Sequence, residues 1–291
     1  MRHVRPDARR TRARRLRVAR ALATAIIIGA ATGCGGASGA PSMVATPDTG
    51  FVLTGDPASS AGATWTFRGT VDGVTYDLAG VLLKPAGAGP FPAVVLSHGS
   101  EGSASFFASL IGPTMVQWGL VCIATNYTHA TGVPIGAPGD ASQPGASQAN
   151  VLRAHMTHEL LRRLGYVDMT RVALHGHSMG AYLDVATAGA YPTDFRVASH
   201  TGGGVRPAFI VSGPAPSPGQ ALGIRIPFQM HHGDADATVP LSYDVRFDSL
   251  LTAMAVDHQL VVYPGEDHLT VRLDPTMLTR VHDWYAAHGM F

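Results

Sequence analysis

The chain has 291 residues, 46% hydrophobic and 14% charged, with 34 glycines and 20 prolines. That composition excludes a disordered or fibrous protein and suits one compact domain with many turns. The net charge of +1 conceals a split: nine of the 21 Lys and Arg residues lie within the first 20 positions, and from Cys34 onward twelve basic residues stand against nineteen acidic ones, about −7. A body of that sign lacks the basic patch that nucleic-acid binding requires, so nucleic acid is excluded as a partner.

The first 33 residues read as an export signal: arginine-rich to Arg20, apolar over residues 21–28, then small up to Cys34. The apolar run is too short to span a membrane. Ala31-Thr32-Gly33-Cys34-Gly35 is similar to a bacterial lipobox, with Ala31 where that pattern favours Leu. Lipidation of Cys34 is therefore expected, and with it attachment to the outer side of the cytoplasmic membrane or the cell envelope by the lipid alone. An ordinary cleaved signal would give a secreted protein instead. Residues 34–63 are rich in Gly, Ala, Ser, Pro and Thr and are expected to form a flexible tether, leaving 64–291 as the folded domain.

Within that domain, residues 65–71 and 74–83 predict a hairpin around Asp72-Gly73, a favoured tight-turn pair. Apolar runs then alternate with helical stretches, the pattern of a mostly parallel sheet flanked by helices. Further strands are expected at 93–97, 120–125, 172–175, 208–211, 226–231 and 259–263, and helices at 104–118, 149–164, 179–190, 242–254 and 275–288. The long loops 127–147 and 212–223 follow strand ends, where such sheets place their ligand crevice. The only cysteines are Cys34 and Cys122, and Cys122, inside an apolar run, is expected to be a buried thiol.

Gly176-His177-Ser178-Met179-Gly180 follows the apolar Val172-Ala173-Leu174 and precedes a helical stretch. This is the strand, sharp turn and helix that expose a serine nucleophile, and glycines two residues away on each side let the backbone turn. Serine needs a base, itself oriented by an acid. Downstream, one strand runs into His231-His232-Gly233-Asp234-Ala235-Asp236, and the next runs into Gly265-Glu266-Asp267-His268. Asp236 and His268 are the expected acid and base, with Asp234 the rival acid. His258 falls at the wrong sheet end, and His282 and His288 lie on the last helix.

With these three motifs in this order, residues 91–288 resemble the dienelactone-hydrolase and lipid-esterase branch of the α/β-hydrolase superfamily. The resemblance implies an α/β-hydrolase fold, and the short stretch between the strands expected to end near Val211 and to start near Ile226 leaves too little chain for a large lid domain. It also implies an acid at Asp236 in Gly-x-x-Asp-x-x-Val-Pro and a base at His268 in Gly-x-x-His. It places the oxyanion donors at the backbone N–H of Met179 and of Ser100, after His98-Gly99, with Glu101 second; His98 braces that loop. Two departures stand out: Ala181 replaces a common third glycine, and the nucleophile is serine where dienelactone hydrolase itself has cysteine.

The expected chemistry is hydrolysis of a carboxylic ester of small to medium acyl chain, from a small molecule or a lipid, through an acyl-enzyme on Ser178. It requires no cofactor and no metal: His155 and His158 on one helix face match no zinc string and suit a polar face. Two alternatives stay open. One is an acyl-peptide or other amide hydrolase on the same triad, and the other a lipoprotein that keeps the fold for binding alone.

Overall fold

The structure, a computed structural model, describes residues 50–100 and 102–291, so the expected export signal, Cys34 and Glu101 lie outside the described residues. Nine strands form one sheet in the order β1-β2-β3-β5-β4-β6-β7-β8-β9. It opens with an antiparallel meander: β1 (Phe51–Thr54), β2 (Ala63–Val71) and β3 (Val74–Leu83). Asp72 and Gly73 join β2 to β3 with φ of 51° and 78°. Two positive φ angles are what a type I′ hairpin turn demands, and they match the twist of the flanking strands. β1 corrects the expected tether, because residues 51–54 pair with β2 from Phe51↔Phe67 to Thr54↔Thr64. That strand is short and mostly exposed, so it carries no burial pattern by which to find it in the sequence.

From β4 (Phe91–Ser97) onward the new pairings are parallel, except where β5 (Val121–Thr125) also closes antiparallel on β3. β6 (Val167–His177), β7 (Val197–Thr201), β8 (Phe228–Gly233) and β9 (His258–Tyr263) complete the sheet. The chain passes from β4 outward to β5 and then back across to β6, so the order reverses at β4, where open α/β sheets form their ligand crevice.

Helices α2 (Gln148–Leu161), α3 (Met179–Ala190) and α5 (Leu241–Ala253) cover one face, sharing a core with Val95, Leu174 and Phe228. On the other face lie α1 (Ala104–Gln117) and α6 (Pro275–Ala287), packed on Val94, Leu96 and Cys122. The alternation along β4 divides its side chains between the two cores, each large apolar one contributing about 1.5–3 kcal/mol on burial. Cys122 is a buried free thiol. No helix among the described residues is long and apolar enough to cross a membrane.

One expected strand is displaced. Residues 208–211 do not enter the sheet; β7 is instead Val197-Ala198-Ser199-His200-Thr201, and Phe209 and Val211 are 83% and 86% exposed. The apolar run Ala208-Phe209-Ile210-Val211 imitates a buried strand, while the true one carries polar side chains that hydrogen-bond inside the protein. His175 and Ser199 share a 2.7 Å hydrogen bond, and His200 reaches Asp244 at 2.8 Å. The loop after β7 therefore runs over residues 202–227. It contains only the single-turn α4 (Pro218–Ala221), so no large lid domain arises.

Candidate active site

The site is assembled at the C-terminal ends of β4, β6, β7, β8 and β9. Ser178 sits between β6 and α3 with φ 57° and ψ −118°, a conformation that costs a non-glycine residue about 1–3 kcal/mol. The strain is sustained by close packing beneath it. A Cβ on Gly180 would overlap the Ser97 carbonyl oxygen, and one on Gly176 would lie 2.6 Å from Asp184 Oδ2. Ala181 is fully buried.

His268 Nε2 lies 2.8 Å from Ser178 Oγ, and His268 Nδ1 lies 2.7 Å from Asp236 Oδ2. A carboxylate only accepts, so Nδ1 carries the proton and Nε2 accepts from the serine hydroxyl. Asp236 is fixed from its other oxygen, which accepts the N–H groups of Thr238 and Val239 at 2.8 Å each. Burial opposes its charge, but hydrogen bonds from His232, His268 and Val239 hold its carboxyl well below the ordinary range. The rival Asp234 is exposed and caps the neighbouring loop, accepting the Gly265 N–H at 2.7 Å. Thus the structure brings together Ser178, Asp236 and His268 and leaves Asp234 outside.

The loop after β4 rests on the serine: a Cβ on Gly99 would lie 3.1 Å from Ser178 Cβ. His98 clamps this loop, its Nδ1–H donating to Gly99 O at 2.8 Å and its Nε2 accepting the Tyr127 N–H at 3.1 Å. Burial, with His129 nearby, lowers its pKa to about 3, so the imidazole is neutral. Ser100, next in the chain, is exposed, and its carbonyl accepts the Thr131 hydroxyl at 3.1 Å. Met179 opens α3, whose first N–H groups have no acceptor within the helix. The loop over residues 127–147 is held by the buried Arg153, which donates to Asn126 O and Pro138 O at 2.9 Å and to Gly136 O at 2.8 Å. Its end meets the loop after β7 through Ala146 N–H and Pro214 O at 2.9 Å, so the two long loops adjoin beside the crevice.

Sequence reasoning missed several residues of this setting. Gly202, with φ 59°, follows β7; a Cβ there would approach His268 Nδ1 to 3.0 Å and Asp236 Oδ2 to 3.4 Å. The misplaced strand hid it. His177 packs its ring 4.7 Å from that of His268 and bonds Thr201 Oγ1 at 2.8 Å. His232 and Asp244 lie beneath Asp236, and the signal that points to His232 is its place one residue before the Gly-x-x-Asp string.

A separate histidine cluster lies at the opposite end of the strands. His155 and His158 of α2 meet Asp194, which precedes β7, with one ligand-type atom from each within 4.8 Å of the others. The expected polar helix face is corrected here: His155 bonds Asp194 Oδ2 at 2.8 Å and stacks on Tyr191, while His158 is fully buried against Phe195.

Comparison with known proteins agrees with this architecture. The structure resembles a puromycin-hydrolysing peptidase of Mycobacterium tuberculosis at 19% identity and TM-score 0.63, over 79% of this chain but only 40% of the peptidase. An S-formylglutathione hydrolase of Agrobacterium tumefaciens matches at 16% identity and TM-score 0.59, over 81% of this chain and 99% of that one. The esterase Est2 of Thermogutta terrifontis matches at 15% identity and TM-score 0.60, over 78% and 92%. These likenesses bear on the fold alone, and a search of curated protein sequences finds no match. The model of the dienelactone hydrolase family covers residues 78–276, from β3 into α6, and the chain therefore belongs to the dienelactone hydrolase family, with its α/β-hydrolase fold.

Proposed function

We propose that this chain is a serine hydrolase that cleaves carboxylic esters through an acyl-enzyme on Ser178. The observation that carries the reading is the continuous hydrogen-bonded line from Ser178 Oγ through both nitrogens of His268 to Asp236. In the proposed cycle Ser178 attacks the ester carbonyl while His268 Nε2 takes its proton, and Asp236 stabilises the imidazolium and fixes its tautomer. Backbone N–H groups of Met179 and Ser100 receive the developing oxyanion. His268 returns the proton to the leaving alcohol, then activates the water that hydrolyses the acyl-enzyme.

Ester rather than amide is favoured by what the chain contains. The match takes in 92% of the esterase and 99% of the S-formylglutathione hydrolase. The single turn of α4 in the loop after β7 leaves the site without a large cover, which suits small to medium acyl groups on a small molecule or an exposed lipid. Side chains and water suffice for the cycle.

A fluorophosphonate probe should label the folded protein at Ser178, and Ser178→Ala should abolish labelling and lower kcat/KM by about 10⁴-fold or more. Absence of labelling, or labelling that survives the substitution, would sink the assignment to Ser178, and absence would leave a binding protein of this fold. A chain-length series of p-nitrophenyl esters reads the acyl preference, and turnover of acyl-peptides alone would replace ester by amide.

We further propose that residues 1–33 direct export and that Cys34 carries the lipid that anchors the domain through a tether over residues 34–49. Mass spectrometry of the mature protein should find an acylated N-terminal Cys34, and Cys34→Ser should move the protein out of the membrane fraction. A mature chain beginning elsewhere without lipid would make it secreted.

A further inference from the structure

Asp236 is held by more than His268. Directly behind it lies His232, the penultimate residue of β8, fully buried, with Nε2 3.4 Å from Asp236 Oδ2 and 3.0 Å from the Val239 carbonyl oxygen. Its other nitrogen, Nδ1, lies 2.7 Å from Asp244 Oδ2 on α5. Asp244 is also fully buried; His200 Nε2–H donates to its Oδ1 at 2.8 Å and the Gly203 N–H to its Oδ2 at 3.4 Å. A carboxyl that receives donors on both oxygens is ionised. A carbonyl oxygen and a carboxylate only accept, so each nitrogen of His232 faces a group to which it must donate.

We infer that His232 is a permanently protonated positioning residue, clamped by Asp244, whose fixed positive charge orients Asp236 and keeps it ionised. The inference rests on the reading of Ser178, His268 and Asp236 as a triad. The groups facing His232 are Asp244 from α5, His200 from β7, and Asp236 and His268 from the loops after β8 and β9; Tyr182 of α3 lies within electrostatic reach of both carboxylates. Burial works against a charge on His232, but the hydrogen bonds to Asp236 and Asp244 outweigh it and raise its pKa to about 10. The consequence is electrostatic: a cation behind Asp236 repels a second positive charge at the triad.

Two measurements decide the matter. Long-range proton–nitrogen NMR of the side-chain imidazoles in the wild-type protein should find both nitrogens of His232 protonated from pH 5 to pH 9. A bare nitrogen at pH 7, or titration near the ordinary histidine range, overturns the inference whatever the activity. In the second, kcat/KM for p-nitrophenyl acetate should fall about 10- to 100-fold in His232→Gln, as expected for a group that orients a catalytic one. The acid limb of its pH profile should move upward by about half a unit or more. Asp244→Asn, which removes the partner that holds the charge, should reproduce the shift. A fall in kcat with the acid limb unmoved would reduce His232 to a packing residue and overturn its electrostatic role. Fluorophosphonate labelling separates the two readings: an unlabelled wild type sinks the triad, while the NMR result still stands for or against the charge on His232. Should His232→Gln fail to fold, backbone-to-ring correlations assign the wild-type signal.

Discussion

His231 and His232 are neighbours on β8, point to opposite sides of the sheet and are both fully buried. His231 lies between Tyr263 OH at 2.8 Å and Gln229 Oε1 at 2.9 Å, two neutral partners that satisfy a neutral ring, and burial pushes its pKa well below the ordinary value. His232 meets two carboxylates and a carbonyl, and its pKa rises to about 10. Equal burial therefore gives opposite shifts. What decides the charge is whether the partners can donate, a property of the neighbouring elements that no burial pattern along β8 encodes.

The contrast is broken most forcefully at Asp244. Asp244→Ala leaves a buried cation without its partner and should cost about 3–5 kcal/mol, read by urea unfolding. A loss near 1 kcal/mol would mean that His232 is as neutral as its neighbour. The dependence of stability on pH sharpens the same point. Between about pH 6.5 and 10 native His232 keeps a proton that the unfolded chain releases. Its stabilisation is thus complete below 6.5 and lost as pH rises toward 10. Buried His98 and His175 run the other way, with pKa values lowered to about 3. Their contribution is present above 6.5 and lost as pH falls toward 3, at up to about 1.4 kcal/mol per pH unit for each. Chemical denaturation across pH should accordingly give a maximum near neutrality. His175→Gln should flatten the acid flank alone, whereas Asp244→Asn should flatten the alkaline flank and, below about pH 4, also remove what the depressed Asp244 carboxyl contributes. The smallest effect belongs to His231→Gln, which should cost about 1 kcal/mol through one weakened hydrogen bond and leave kcat/KM close to wild type.

Much of the fold is legible in the sequence because periodicity and turn chemistry are local. The Asp72-Gly73 hairpin and the helix from Met179 to Ala190 fall where the sequence predicts. Ser178, Asp236 and His268 also meet as their spacing implies, because each follows a strand end and parallel strands carry those ends to one side. What failed was the equation of apolar with buried. Ala208-Phe209-Ile210-Val211 is a loop tip, held by Arg206, which donates to the carbonyls of Ile210, Val211 and Ala215. β7 instead buries Ser199, His200 and Thr201. Asp244 was illegible for the same reason. An acid in the first turn of a helix reads as a solvated residue favoured by the helix dipole, yet this one turns inward to two histidines from separate strands.

The backbone at Ser178 sets the demands of selection against each other. Its positive φ is one that glycine adopts freely, so Ser178→Gly should be inert yet more stable than the wild type by about 1 kcal/mol or more, visible as a higher melting temperature. Serine at this position is thus the residue that thermodynamics alone would replace, and the proposed acyl-enzyme is what it would be kept for.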